Sequence, residues 1–162
     1  MIAWLPDLME IDNYQNDWNI YIDAVYKAFV NDFITNKTFY KKERISLKKY
    51  PIIDGKEATF WHLISEGKKE SERIPDLRRC ERIKWPSSII KNHKNLEVKI
   101  WENERKGGKR LLLFIEEEDY LVVLTKRKSY FILWTAYLVT YMHQKNKLLK
   151  EWKEYNKKTG VS

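Results

Sequence analysis

Leu96-Glu-Val-Lys-Ile-Trp-Glu102 alternates apolar and polar side chains, and together with the residues up to Tyr141 it decides the fold. Lys106-Gly-Gly-Lys109 supplies two residues that tolerate positive φ, as a tight hairpin turn requires. Leu111-Leu-Leu-Phe-Ile115 comes next, and the acidic run from Glu116 to Asp119 interrupts it. Tyr120-Leu-Val-Val-Leu-Thr125 returns, Lys126-Arg-Lys-Ser129 turns again, and Tyr130-Phe-Ile-Leu-Trp-Thr-Ala-Tyr137 closes the series. Connections this short join only antiparallel neighbours, so residues 96–141 are expected to form a four-stranded meander. The two middle strands are apolar on both faces. Each face therefore needs a cover, or the second face lines a cleft.

Outward from the sheet, the chain reads as helices before it and one helix after it. Residues 17–35 carry Ile20, Ala24, Tyr26, Ala28, Val30 and Phe33 at helical spacing, and Asp17 suits the cap position. Residues 44–49 alternate and read as a short strand or extended segment, ended by Pro51 and the Asp54-Gly55 pair. Residues 57–65 read as a short helix stopped by Gly67, and Pro75 as the start of a third helix with Leu77 and Cys80 inward. Trp85-Pro86 is expected to break that helix. Residues 142–158 form a charged tail helix that Leu148, Leu149 and Trp152 can dock. The expected fold class is α+β: N-terminal helices, a four-stranded antiparallel meander and a C-terminal helix. One domain of residues 1–162 holds it all, with residues 1–92 mainly helical.

A length of 162 residues suits one core, and 43% hydrophobic residues is too many for disorder. No apolar run reaches the roughly 20 residues of a membrane span, and the start lacks a signal-peptide pattern. Cys80 is alone, so neither a disulfide framework nor a thiolate cluster is expected, and the default compartment is the cytoplasm. The formal charge of +8 favours an anionic partner, nucleic acid first. Seven Trp and ten Tyr suit stacking on unpaired bases as well as ordinary cores.

Three groups can carry chemistry. Thr135 and Tyr137 stand two apart on one strand, so both hydroxyls leave the same face and can hold a phosphate oxygen; the same pair also serves β propensity. His62 sits in an apolar setting, as a general acid or base or as a core histidine satisfied by a carbonyl, whereas His93 and His143 lie in charged stretches. Arg73, Arg78, Arg79 and Arg82 come after it in the chain, with Arg78 and Arg82 on one helical face. Guanidinium groups match phosphate and stabilise charge on a phosphorane; a solvated face paired with Asp76 and Glu81 is the plain alternative. Lys84, Lys126 and Arg127 extend the basic set. There is no Gly-rich phosphate loop, His-Glu-x-x-His or serine elbow, and neither a metal nor a cofactor is expected.

A helical first half with a histidine, then arginines, then a meander whose last strand reads Trp134-Thr-Ala-Tyr137, resembles the barnase–EndoU–colicin–RelE superfamily of ribonuclease toxins, nearest its phage-associated and polymorphic-toxin branches. The resemblance covers the chain from about Glu57 onward, as topology with short motifs. It implies metal-independent cleavage of RNA by 2′-hydroxyl attack, giving a 2′,3′-cyclic phosphate. His62, Thr135, Tyr137 and an arginine from the Arg78 to Arg82 group would form the site. It also implies an antitoxin or immunity protein as partner. A non-catalytic RNA-binding or protein-interaction module of a mobile element is the other reading that the same residues allow.

Overall fold

The computed structural model describes residues 2–160, with the side chain of Glu70 left out. Helix α1, Trp18–Val30, starts where the Asp17 carboxylate accepts the Ile20 N–H, and runs into a π-turn at Asn31–Thr35. Its buried face is Tyr21, Ile22, Val25 and Phe29, with Phe33 beyond, while Ile20 lies 43% exposed. The steps of four from Tyr21 decide this face, one residue round the helix from the stripe expected. Strands β1 (Phe39–Tyr40) and β2 (Glu43–Ser46) come next as a small antiparallel hairpin. Helix α2, Ala58–Ile64, precedes a two-residue strand β3, Ser65–Glu66, which pairs with β4, Ile74–Pro75.

Helix α3 is only Leu77–Glu81, and the Asp76 carboxylate caps it by accepting the Arg78 N–H. Pro75 therefore ends a strand rather than opening the helix. Leu77 is exposed and Cys80 fully buried. Helix α4, Trp85–Lys91, begins at Trp85-Pro86, since proline in the first turn costs no hydrogen bond. Strands β5 (Val98–Arg105), β6 (Gly108–Ile115), β7 (Tyr120–Lys126) and β8 (Phe131–Leu138) pair in sequence, and α5, Met142–Thr159, comes last. The β5–β6 turn uses Gly108 at φ +113°, where a side chain would be strained.

The expected arrangement of N-terminal helices, a four-stranded meander and a C-terminal helix is overturned. The class is α+β, but among the described residues five α-helices are interspersed with eight strands, and the main sheet has six strands in the order β1-β2-β8-β7-β6-β5. Strand β2 joins β8 in parallel, Ile45 beside Phe131 and Ser46 beside Ile132. Ile45 is 1% exposed, so the added strand completes the core rather than decorating an edge. The sheet also curls: β1, β2 and β5, far apart in strand order, line one cavity.

Both faces of the central strands are covered. Leu111, Leu113, Ile115, Tyr120, Val122 and Leu124 pack beneath α1 to α4 and the N-terminal segment. Leu112, Phe114, Leu121 and Val123 point the other way, onto Leu148, Leu149, Trp152 and Tyr155 of α5. The carboxylate of Glu151 pins α5 at this face, accepting Trp101 Nε1–H at 2.8 Å, the Asn103 amide, and Arg105 Nη2–H at 3.2 Å. Among the described residues, no helix is long and apolar enough to cross a membrane.

Candidate functional site

Strand β8 carries the site because its outer edge is only half used. Strand β2 reaches no farther than Ile132, so from Leu133 onward that edge has no strand partner among the described residues. Thr135 lies opposite Val123 and Leu133 opposite Leu124, which makes Trp134 the extra residue of a bulge. A bulge re-aims its side chain, and Trp134 stands 45% exposed instead of joining either core. Helices α2 and α3 flank this open edge.

Two concavities lie along it. The first is a hollow of about 30 Å³ lined by Lys48, Ala58, Thr59, His62, Leu133 and Trp134. The His62 ring packs against the Trp134 indole at 5.2 Å between centroids, tilted by 48°. The Thr59 hydroxyl is already engaged with the Lys48 backbone, accepting its N–H at 2.7 Å.

The second is a cleft of about 420 Å³ between α3, the β3–β4 pair and the start of α5. Arg78, Arg79 and Tyr137 line it, with Glu66, Asp76, Thr140, Tyr141 and Gln144. Arg79 lays its guanidinium over the Tyr137 ring, 5.2 Å from the centroid, and its Nη1 is buried with no hydrogen-bond partner among the described residues. Gln144 Nε2–H points to the Tyr137 hydroxyl at 3.4 Å. A guanidinium donor without an acceptor, a hydroxyl and a second arginine together make a ready seat for a phosphate oxygen. Burial holds the Cys80 thiol, beneath Arg79 on the same helix, up at about 12, with Asp76 and Glu81 adding to it. That thiol is no nucleophile at neutral pH.

The residues singled out in the sequence are thus distributed. Arg78, Arg79 and Tyr137 share the cleft; His62 lines the neighbouring hollow; Thr135 lines neither. Trp134 and Tyr137 are three residues apart, about 10 Å along the strand. Arg73 binds backbone: its Nη1 donates to Gly67 O at 2.8 Å, and its Nη2 to His62 O at 2.9 Å and to Ser65 O. Gly67 permits this close approach, since a Cβ there would meet the Arg73 Cα at 3.1 Å. Arg82 turns back on its own segment, donating to Arg78 O at 3.1 Å and lying over the Trp85 ring. Arg78 lines the cleft and Arg82, the C-cap of α3, does not. Burial raises the Tyr120 hydroxyl pKa, while Arg82 and Arg79 oppose that rise, which sets both cations near the ring's polar end.

Lys84 precedes α4 and is exposed, and Lys126 and Arg127 sit at the far end of β7 from the cleft. Lys126 pairs with Glu102 at 3.6 Å, and Arg127 donates to Lys126 O at 3.2 Å. Sequence reasoning misses Lys48, Glu66 and Gln144, which come from three separate segments and carry no common spacing. Trp134 is visible in the motif, but only the bulge gives it an aim. Among the described residues, no three His, Cys, Asp or Glu side chains are grouped to hold a metal ion. No family model, curated protein or solved structure matches the chain.

Proposed function

We propose that the chain binds RNA along the open edge of β8 and cleaves it as a metal-independent endoribonuclease of the toxin-like or phage-related kind, acting in the cytoplasm. The observation that carries the proposal is the cleft in which Arg78, Arg79 and Tyr137 meet, with Arg79 Nη1 lacking an acceptor among the described residues. One backbone phosphate would take that donor and the Tyr137 hydroxyl. The next stretch of strand would then pass Trp134, whose exposed face suits a base, and reach His62 and Lys48.

At His62 the step is a transesterification. The imidazole takes the proton of a ribose 2′-hydroxyl, the 2′-oxygen bonds to phosphorus, and the bond from phosphorus to the 5′-oxygen breaks. That oxygen leaves with a proton from an acid, and a 2′,3′-cyclic phosphate remains. Lys48 is the cation beside His62, so it stands where negative charge on the phosphorane would grow. The arginines, about 10 Å along the strand, hold a neighbouring phosphate rather than the reacting one. This division of labour differs from a single four-residue constellation. The +8 charge supports RNA over an uncharged substrate. The test is single-turnover incubation with total cellular RNA in EDTA, with end-group analysis. Cyclic phosphate ends are expected. Retention of RNA without any cleavage would replace the proposal with a binding module.

A further inference from the structure

At the opposite end of β8 from the arginine cleft, the curled sheet leaves a cavity of about 470 Å³. Its size falls within the usual range of small-molecule sites. The rings of Tyr40, Phe131 and Tyr155 line it, and Lys41 and Lys42 stand exposed at its rim. Glu43 also lines it, and Glu43 Oε2 is buried with no hydrogen-bond partner among the described residues. Tyr40 is held edge-on to Phe131 at 5.6 Å and tilted against His93 at 4.8 Å, so the aromatic wall is fixed from two sides.

A buried acceptor without a donor is costly, and a ligand that brings an N–H removes the cost. Aromatic walls ask for a flat, polarisable group, and rim lysines ask for an anion. A nucleoside monophosphate joins an N–H donor, a flat ring and an anionic tail within that span. We propose that this cavity binds a nucleoside monophosphate unit whose base bears an exocyclic amino group: the amino group donates to Glu43, the ring packs on Tyr40 and Phe131, and the phosphate meets Lys41 and Lys42. Uracil fits less well, because its one ring N–H is flanked by two carbonyl oxygens that oppose a carboxylate. The inference is independent of the cleavage proposal, since it involves none of the residues used there.

The experiment is calorimetric titration of the full chain with CMP, AMP and UMP, and with short oligocytidylate and oligouridylate. CMP or AMP is expected to bind at least about tenfold more tightly than UMP, the scale of one buried unpaired polar group. Glu43→Gln should abolish that preference. It should leave the melting temperature nearly unchanged, because glutamine keeps the side-chain shape and its amide still places one unpaired polar atom where Oε2 lies. Lys41→Ala with Lys42→Ala should weaken CMP several-fold while leaving cytidine unaffected. Mononucleotide binding identifies a free nucleotide as the ligand. Binding only of oligocytidylate, lost in Glu43→Gln, identifies an RNA chain as the source of the same unit. Absence of binding by any of these, or an unaltered preference in Glu43→Gln, overturns the proposal.

Discussion

The Arg79 guanidinium lies over the Tyr137 ring at 5.2 Å, and this contact joins the short helix α3 to the last strand of the sheet. It fixes a cation that would otherwise swing freely, and leaves Nη1 buried without a partner among the described residues. A positioned, partly dehydrated donor of this kind binds phosphate better than a solvated one.

Arg79→Ala is expected to weaken RNA binding more than Lys84→Ala, although each removes one charge. Lys84 is exposed and contributes only screened attraction, whereas Arg79 supplies directed hydrogen bonds. Arg79→Lys should recover little, since a lysine keeps the charge and loses the planar fork. Filter binding across a salt series checks this. Equal losses for Arg79→Ala and Lys84→Ala would show that only net charge matters.

His62→Ala is expected to lower RNA cleavage by about a hundred- to ten-thousand-fold, the usual contribution of one positioned acid–base group. Thr135→Ala should have little effect, because Thr135 lines neither concavity. Single-turnover rates in EDTA, with circular dichroism to confirm folding, separate the two. If His62→Ala cuts as fast as the parent, the imidazole is neither the acid nor the base of the reaction.

The central strands and the tail helix can be read from the chain because their signals are local. Strands β5 to β8 are marked by alternation, apolar runs and short turns, and α5 by Leu148, Leu149 and Trp152. Features that depend on distant partners escape such a reading. Strand β2 is four residues among lysines, and nothing in its own sequence states that Ile45 will lie parallel to Phe131, 86 positions later. The same holds at the site. The resemblance puts His62 and an arginine of the Arg78 to Arg82 group in one site, but the β3–β4 pair and the capping of α3 by Asp76 send His62 and Arg79 to different concavities. Arg73 reads as one of a cluster of arginines that match phosphate, yet the carbonyls left open at the end of α2 take its hydrogen bonds.

Ile45→Ala tests the enlarged sheet. Ile45 is almost fully buried between β1 and β8, so truncation should cost about 2–5 kcal/mol, the range for large-to-small core changes. Chemical denaturation measures it. A loss under about 0.5 kcal/mol, as surface positions show, would mean that residues 43–46 are not part of the core.

Glu151 gives the clearest pH dependence. Burial raises its pKa, but hydrogen bonds from Trp101, Asn103 and Arg105, together with the Arg105 charge, outweigh that and hold the carboxyl below the usual glutamate value. A folded-state pKa below the unfolded one means the stabilisation is fully present above the unfolded value of about 4.3, and is lost as pH falls through the folded value. Glu151→Gln should therefore lower stability at pH 7 by about 1 kcal/mol, the difference between charge-assisted and neutral hydrogen bonds. The gap between the two proteins should close progressively below about pH 4. Glu151→Ala should cost more, about 2–3 kcal/mol, because it also strands the buried Trp101 N–H, and part of that loss should persist in acid. Urea denaturation of the three proteins across the acid-to-neutral range provides the comparison. A Glu151→Gln deficit that stays constant across this range would mean that the helix is pinned by packing on Leu148, Leu149 and Trp152 alone, with the carboxylate's charge playing no part.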